Sequence, residues 1–272
     1  MKYEFKTEPF AHQRTALLRS WNKPNYGLFM EMGTGKSKVL IDTIGILYGK
    51  GAINAVVIVA PKGVYRNWST KEIPDHMPDH IDTHVAVWSP APRKQEKADL
   101  VKLFNTDLDE LKIFLINVEA FSTPKGVKFT ENFILGHQVL FAVDESTTIK
   151  NPKASRTKAI TKLAKNTKYR RILTGSPITQ SPLDLYSQTE VLGTNLLGYT
   201  SFYSFQNHYG EVVNRYFGGR TVRQVVGYRN LDELSQKLDR FSYRVLKSDC
   251  LDLPEKLYIR RDVTLTAEQK KL

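Results

Sequence analysis

The chain has 272 residues, which is enough to bury one large hydrophobic core, or one core with a small appendage. Its 40 Lys and Arg residues outnumber its 28 Asp and Glu residues, and the formal net charge of +12 favours a polyanionic partner such as nucleic acid over a simple surplus of surface lysine. The single cysteine, Cys250, excludes an internal disulfide and a zinc site built from several cysteines.

The first residues and the longest apolar runs give an expectation for where the protein is found. The opening residues Met1-Lys2-Tyr3-Glu4 do not begin a signal peptide. The chain also lacks an apolar run of about 18 residues, the length that a membrane-spanning helix needs. We therefore expect a soluble, intracellular protein with no membrane partner.

A glycine-punctuated loop, Met32-Gly33-Thr34-Gly35-Lys36-Ser37, follows a short apolar run near the amino terminus. Glycines let backbone N–H groups approach an anion, lysine reaches the β- and γ-phosphates, and a serine hydroxyl ligates Mg²⁺. The strict pattern has glycine where this chain has Met30, so the match is to a relaxed form of the motif. Residues 38–47 continue at helical spacing, and that helix would point its positive end at the phosphates. The loop predicts a nucleotide-binding site.

Short apolar, β-branched segments alternate with helical stretches along most of the chain. The predicted strands are residues 27–30, 55–60, 84–88, 113–117, 139–143 and 171–174. The predicted helices include residues 38–48, 93–104 and 155–165. This alternation, with strands that are continuously apolar, predicts an α/β fold with a mostly parallel central sheet and helices on both faces. In such sheets ligands bind beyond the carboxyl ends of the strands, where the glycine loop falls.

The composition changes after about residue 190. Residues 199–216 are rich in aromatic side chains and are predicted to be helical. The sequence Phe217-Gly218-Gly219-Arg220 predicts the turn of a basic hairpin that runs to Asn230, and another helix is predicted to open at Leu231. We expect a main lobe over residues 1–192, a helical appendage with the basic hairpin over 193–254, and a returning strand that begins a linker over 255–272.

A second chemical feature is the pair of carboxylates that ends the apolar run 139–143. Asp144 can hold Mg²⁺ against phosphates that Lys36 and Ser37 bind. Glu145 can then orient and deprotonate a water molecule, so the predicted reaction is hydrolysis. An Asp-Glu pair at a strand end is a weak signal alone, but it is strong downstream of a phosphate loop in the same predicted sheet.

The segment from Asp144 to Pro152, Asp-Glu-Ser-Thr-Thr-Ile-Lys-Asn-Pro, resembles the Asp-Glu-x-His-x-Ile-Lys-Asn signature of Swi/Snf-type ATPases in helicase superfamily 2. Further segments resemble that family in the same order along the chain. They are residues 10–13, 57–61 with Asn67-Trp68, 113–119, 173–178, and 244–247 with 253–256. Because these segments span nearly the whole chain, the resemblance is specific as a set.

The resemblance implies a RecA-like P-loop NTPase lobe that uses ATP and Mg²⁺. It assigns adenine recognition to Gln13, and phosphate binding to the loop residues Met32, Gly33, Thr34, Gly35, Lys36 and Ser37. It assigns the Mg²⁺ ion to Ser37 and Asp144. The catalytic residues that it implies are Glu145, Asp144 and Lys36.

The resemblance also implies DNA as the partner, contacted as a duplex and without regard to sequence. The segment Thr174-Gly175-Ser176 would couple hydrolysis to movement. Pro61, Lys62 and Asn117 correspond to the family's loops that meet backbone phosphates. We add Arg220 and Arg223 of the basic hairpin as candidate nucleic-acid contacts, although these arginines could equally lie on a solvated face.

Two departures from the family pattern affect these expectations. Thr147 replaces the histidine of the signature, which raises the question of how this segment communicates with Ser176. The family also has a second RecA-like lobe with arginine fingers that complete the ATP site, and we expect this chain to be the first lobe only. Two neighbouring arginines, Arg170 and Arg171, are predicted to be sheet-edge charges rather than such fingers.

The leading hypothesis is the ATP-binding first lobe of a Swi/Snf-like, DNA-dependent ATPase that translocates on DNA. Two alternatives stay open at this point. One is a nucleic-acid-binding module that binds nucleotide without turnover. The other is a different P-loop motor, such as a viral packaging ATPase, which shares the phosphate loop and the paired acids.

Overall fold

The computed structural model describes residues 3–105, 109–250 and 262, and its centre is a seven-stranded sheet in which all paired strands are parallel. Its strands are β1 (Asn25–Met30), β2 (Ala55–Ala60), β3 (Thr83–Val87), β4 (Leu111–Asn117), β5 (Val139–Asp144), β6 (Tyr169–Leu173) and β9 (Ser242–Val245). Their order across the sheet is β3-β4-β2-β5-β6-β1-β9. The predicted α/β fold is confirmed, and each of the six predicted strands forms with small shifts at its ends.

Helices cover both faces of this sheet. They are α1 (Ala11–Ser20), α2 (Lys36–Gly49), α3 (Tyr65–Asn67), α4 (Ile73–His76), α5 (Lys94–Lys102), α6 (Pro124–Leu135), α7 (Ser155–Ala164), α8 (Leu185–Leu192), α9 (Phe202–Tyr209) and α10 (Leu231–Asp239). Helices α1 to α4 pack on one face, and α5 to α10 pack on the other. In the part of the chain that the structure describes, none of these helices has the length and apolar character that crossing a bilayer requires.

The strand β2 illustrates why the apolar runs become central strands. All six of its side chains are buried. Val57 and Val59 belong to the core beneath α5 to α10, whereas Val56 and Ile58 belong to the core beneath α1 to α4. Successive side chains of a strand point to opposite faces, so a strand covered on both faces must be apolar throughout.

The region after residue 190 differs from its prediction in two places. Residues 210–216 are predicted to be helical, but Gly210–Phe217 forms the strand β7, which pairs antiparallel with β8 (Arg220–Tyr228). Adjacent Val212 and Val213 favour extended backbone, and Gly218 and Gly219 both have positive φ, as a two-residue hairpin turn requires. The predicted basic hairpin is thereby confirmed.

The second difference is the edge strand β9, which lies within the segment predicted to be a helical appendage. Its residues Ser242 to Val245 pair in parallel with β1 and extend the main sheet. A four-residue strand at a sheet edge carries too few residues for a period-two pattern to be recognised. The predicted returning strand, residues 255–272, lies outside the described residues apart from Asp262. The proposed domain boundaries stay a prediction.

The prediction that Arg170 and Arg171 are sheet-edge charges is wrong, because β6 lies between β5 and β1. The Arg171 side chain is fully buried and donates hydrogen bonds to the carbonyls of Ser20 at 2.7 Å, Lys23 at 2.8 Å and Pro24 at 3.1 Å. Burial lowers the pKa of Arg171 to about 10, so it stays charged at neutral pH. Its positive charge faces the carboxyl end of α1, where the free carbonyls carry partial negative charge.

Candidate active site

The candidate site lies where three neighbouring strands, β5, β6 and β1, end at the same edge of the sheet. The phosphate loop follows β1, Glu145 follows β5, and Thr174 follows β6. The sequence separates the phosphate loop from the other two segments by more than a hundred residues, and the parallel sheet brings their carboxyl ends together.

The phosphate loop adopts a backbone that depends on its two glycines. Gly33 has a φ of 84° and Gly35 a φ of 87°, in the left-handed region that side chains with a Cβ rarely adopt. The buried hydroxyl of Thr34 closes the loop by donating to the Glu31 carbonyl at 2.7 Å. Helix α2 begins at Lys36, so its free N–H groups face the loop. The Met32 side chain is 70% exposed, so only its backbone is available to the loop's interior.

The amide of Gln13, on α1, lies against this loop. Its Nε2 donates to the Thr34 carbonyl at 3.2 Å, and its Oε1 accepts from the Phe10 N–H at 3.0 Å. A Cβ placed on Gly35 would lie 2.2 Å from that Nε2. Gln13 is therefore buried beside the phosphate loop, and its role in reading adenine stays a prediction.

Lys36 and Glu145 connect the two halves of the predicted chemistry. Lys36 Nζ lies 3.0 Å from Glu145 Oε1 in a largely buried ion pair. Glu145 has a φ of 46° and a ψ of 58°, an uncommon conformation for a residue that is not glycine. Strained backbone of this kind persists where the surrounding structure holds it, and it is common at functional sites. Here the strained residue is the predicted base.

Asp144 is almost completely buried at the end of β5. Its Oδ2 accepts from the Trp68 indole N–H at 3.1 Å, and its Oδ1 accepts from the Glu145 N–H at 2.9 Å. Burial raises the pKa of Asp144 to about 6, nearby Lys36 lowers it, and Glu145 raises it. A buried carboxylate that is destabilised in its charged form is a fitting ligand for a cation, and oxygen donors suit Mg²⁺.

The predicted coupling segment contacts both halves of the site. Thr174 Oγ1 lies 3.5 Å from Glu145 Oε2 and accepts from the Ser176 N–H at 3.2 Å. A Cβ on Gly175 would lie 3.1 Å from the Met32 backbone nitrogen. A movement of the phosphate loop or of Glu145 would therefore change the contacts of this segment directly.

Two further residues join the carboxylate segment to the segment after β6, and the sequence analysis missed both roles. Buried Gln188, on α8, accepts from the Ser146 hydroxyl at 2.7 Å and donates to the Pro177 carbonyl at 2.7 Å. Lys150 donates to the Thr179 hydroxyl at 2.6 Å. These contacts link the two segments without a histidine at position 147. A single glutamine in a helix carries no pattern that could have identified it.

The predicted nucleic-acid residues fall into two separate groups. Pro61 and Lys62 follow β2, and Asn117 ends β4, which is the neighbouring strand. Arg220 and Arg223 lie on β8 of the hairpin, which forms its own two-stranded sheet. Residues three apart on a strand point to opposite faces, so these two arginines cannot meet one surface from the same face of the hairpin.

Of the two hairpin arginines, Arg223 is already held within the chain. Its guanidinium donates to the Asn207 side-chain oxygen on α9 at 2.6 Å. Arg220 shares its face with Arg215, because the cross-strand partners are Arg220 with Phe217 and Val222 with Arg215. Both arginines of this face are exposed.

A paired glycine experiment tests the geometry of the loop. We expect Gly35→Ala to lower the free energy of unfolding by about 2 kcal/mol, because alanine is strained at positive φ and its Cβ would displace Gln13. Gly49→Ala, at the other end of α2, has open space around its Cβ and should raise stability by about 0.5–1 kcal/mol. Urea unfolding measures both, and equal effects of the two substitutions would contradict the conformation described for Gly35.

Comparisons with known proteins show the family to which the chain belongs. A family model described as the SNF2-related domain matches residues 13–272. The human protein "DNA annealing helicase and endonuclease ZRANB3" is 28% identical over 228 residues, covering 84% of this chain and 20% of that protein. The Caenorhabditis elegans "SWI/SNF-related matrix-associated actin-dependent regulator of chromatin subfamily A-like protein 1 homolog" is 33% identical over 142 residues, covering 49% of this chain and 19% of that protein. The chain thus spans about a fifth of the length of these curated relatives.

A solved structure is similar over nearly the whole chain. It is the "Sulfolobus solfataricus SWI2/SNF2 ATPase core in complex with dsDNA", with a TM-score of 0.67 and 21% sequence identity. The alignment covers 93% of this chain and 48% of that chain. This similarity confirms the predicted RecA-like fold.

Proposed function

The chain belongs to the SNF2-related family, as the N-terminal lobe of a Swi/Snf-type superfamily 2 helicase, and from that premise we propose that it binds Mg·ATP and couples ATP hydrolysis to movement on DNA. The observation that carries the proposal is the ion pair at 3.0 Å between Lys36 of the phosphate loop and Glu145 of the carboxylate segment. This pair places a candidate phosphate-binding ammonium in direct contact with a candidate base. A viral packaging motor is no longer needed as an alternative, because the family match covers residues 13–272.

Each residue of the site has its own role in the proposed hydrolysis. The loop amides and Lys36 bind the phosphates, and Ser37 and Asp144 supply oxygen ligands for Mg²⁺, which when bound neutralises phosphate charge. When Lys36 turns from Glu145 to the phosphates, the Glu145 carboxylate becomes free to accept a proton from water. The oxygen of that water would bond to the terminal phosphorus as the bond from this phosphorus to ADP breaks, the water proton would pass to Glu145, and ADP and inorganic phosphate would leave.

The coupling role proposed for Thr174, Gly175 and Ser176 rests on their contacts. Thr174 is adjacent to the Glu145 carboxylate, and Gly175 packs on the backbone of Met32. A rearrangement of the Lys36–Glu145 pair on nucleotide binding would therefore alter the surroundings of all three residues. We also propose that a second RecA-like lobe is needed to complete the motor.

For the DNA partner we propose sequence-independent contact with duplex phosphates through Pro61, Lys62, Asn117 and Arg220; Arg223 is left out, because it lies on the opposite face of the hairpin and is bonded to Asn207. The net charge of +12 and the exposure of Lys62 and Arg220 support it. The similar Sulfolobus core was solved in complex with dsDNA, which makes a duplex the partner to test first.

The DNA contacts give a salt-dependent prediction. We expect Lys62→Ala and Arg220→Ala each to weaken duplex binding for all sequences alike, and to reduce the slope of log affinity against log salt by about 1. Fluorescence anisotropy with two unrelated duplexes at several salt concentrations measures this. Lys23→Ala is the matched control, because it removes an exposed charge that precedes β1, at the amino-terminal ends of the strands. An unchanged slope for both variants would remove these residues from the interface.

A second candidate function is nucleotide and DNA binding without turnover by this chain alone. The Lys36–Glu145 pair is compatible with this function as well, because in the pair the lysine and the candidate base bind each other. Phosphate release from ATP, with and without duplex DNA, separates the two candidates. Release that DNA stimulates and that Glu145→Gln abolishes supports hydrolysis; ATP binding without such release supports the second candidate.

A further inference from the structure

The edge strand β9 brings a second lysine to the phosphate loop. The Glu31 N–H donates to the Val245 carbonyl at 2.9 Å, and the Lys247 N–H donates to Glu31 Oε2 at 2.8 Å. Glu31 is the residue that joins β1 to the loop. These two hydrogen bonds hold the backbone after β9 beside the start of the loop.

The Lys247 side chain lies on Gly33 itself. A Cβ placed on Gly33 would lie 3.4 Å from Lys247 Cε and 3.6 Å from its Nζ. The side chain is half-buried, and its ammonium forms no ion pair with any carboxylate in residues 3–105 and 109–250. Lys36, by contrast, is already paired with Glu145.

An ammonium that is partly removed from water and lacks a carboxylate partner is stabilised by an approaching anion. The anion that the neighbouring glycine loop is built to hold is a phosphate. We propose that Lys247 is a second phosphate-binding lysine, which contacts the terminal phosphates of a bound nucleotide beside Gly33. This inference rests on the proposed nucleotide-binding function and adds to it a residue from the opposite end of the described chain.

The experiment compares nucleotide affinities of variants that keep the aliphatic stem of Lys247. We expect Lys247→Met to weaken Mg·ATP binding about tenfold in calorimetric titration, because a charge-assisted hydrogen bond is lost. Competition binding of AMP, which lacks the terminal phosphates, should be unchanged. Lys247→Arg should retain most of the ATP affinity, since it keeps the charge.

Arg244→Met is the matched control, because it removes one exposed positive charge from β9, the strand that precedes Lys247. Thermal unfolding checks that each variant is folded, and Lys247→Gln is a second neutral variant. An ATP affinity within threefold of the control overturns the inference, as does an equal loss for ATP and AMP, which would indicate a purely structural role. If Lys36→Ala also leaves ATP affinity unchanged, the proposed function fails; if only the Lys247 variants do, this inference alone fails.

Discussion

Replacement of Lys36 by alanine is expected to lower the affinity for Mg·ATP by about a hundredfold or more, which is the largest effect on binding that the site predicts. The substitution removes the ammonium that would bind phosphate. It also leaves Glu145, now without its partner at 3.0 Å, as an uncompensated negative charge close to a polyanion. Both consequences act in the same direction.

Isothermal titration calorimetry with Mg·ATP measures this loss directly. Lys23→Ala is the control, because Lys23 is exposed and precedes β1, whereas the phosphate loop follows that strand. An affinity for the Lys36 variant equal to that of the Lys23 variant would contradict the proposed nucleotide site.

The largest expected loss of stability follows from Arg171→Met, at about 3–5 kcal/mol in the free energy of unfolding. Methionine approximates the length of the arginine stem but cannot donate a hydrogen bond. The carbonyls of Ser20, Lys23 and Pro24 would lose the guanidinium where α1 leads into β1, and only those of Ser20 and Pro24 would still accept a backbone N–H. Three hydrogen bonds from a charged, buried donor are lost, and so is the positive charge that faces the carboxyl end of α1.

Urea unfolding at neutral pH measures this change, with Arg240→Met as the control for the same substitution at an exposed position. The control should change stability by less than about 0.5 kcal/mol. A loss below about 1 kcal/mol for the Arg171 variant would mean that the hydrogen bonds at the end of α1 contribute little to stability.

The parts of the fold that the sequence predicted are those with a local signal. The run Ala55 to Ala60 is apolar at every position because β2 is covered on both faces, and this property can be read without knowing its neighbours. The same holds for the loop around Gly33 and Gly35, whose positive φ values are a property of glycine itself. The carboxylates at the end of β5 could be located in the same way, because they come directly after an apolar run.

The missed features depend on contacts between residues far apart in the chain. Arg171 is preceded by another arginine and followed by apolar residues, and nothing nearby indicates that its partners are carbonyls at the end of α1. Gln188 is an ordinary helix residue until Ser146 and Pro177 lie on either side of it. The helical prediction for residues 210–216 gave weight to aromatic content over the hairpin turn that follows.

By itself the sequence determined the parallel α/β fold, the family resemblance and the identity of the phosphate loop and paired acids, because each is encoded in residues adjacent along the chain. Only the tertiary structure decided how these segments meet. It paired Lys36 with Glu145, set Gln13 against Gly35, and placed Lys247, which follows the edge strand, on Gly33. The physical reason is that a parallel sheet gathers the carboxyl ends of distant strands at one edge, in an order that local patterns do not encode.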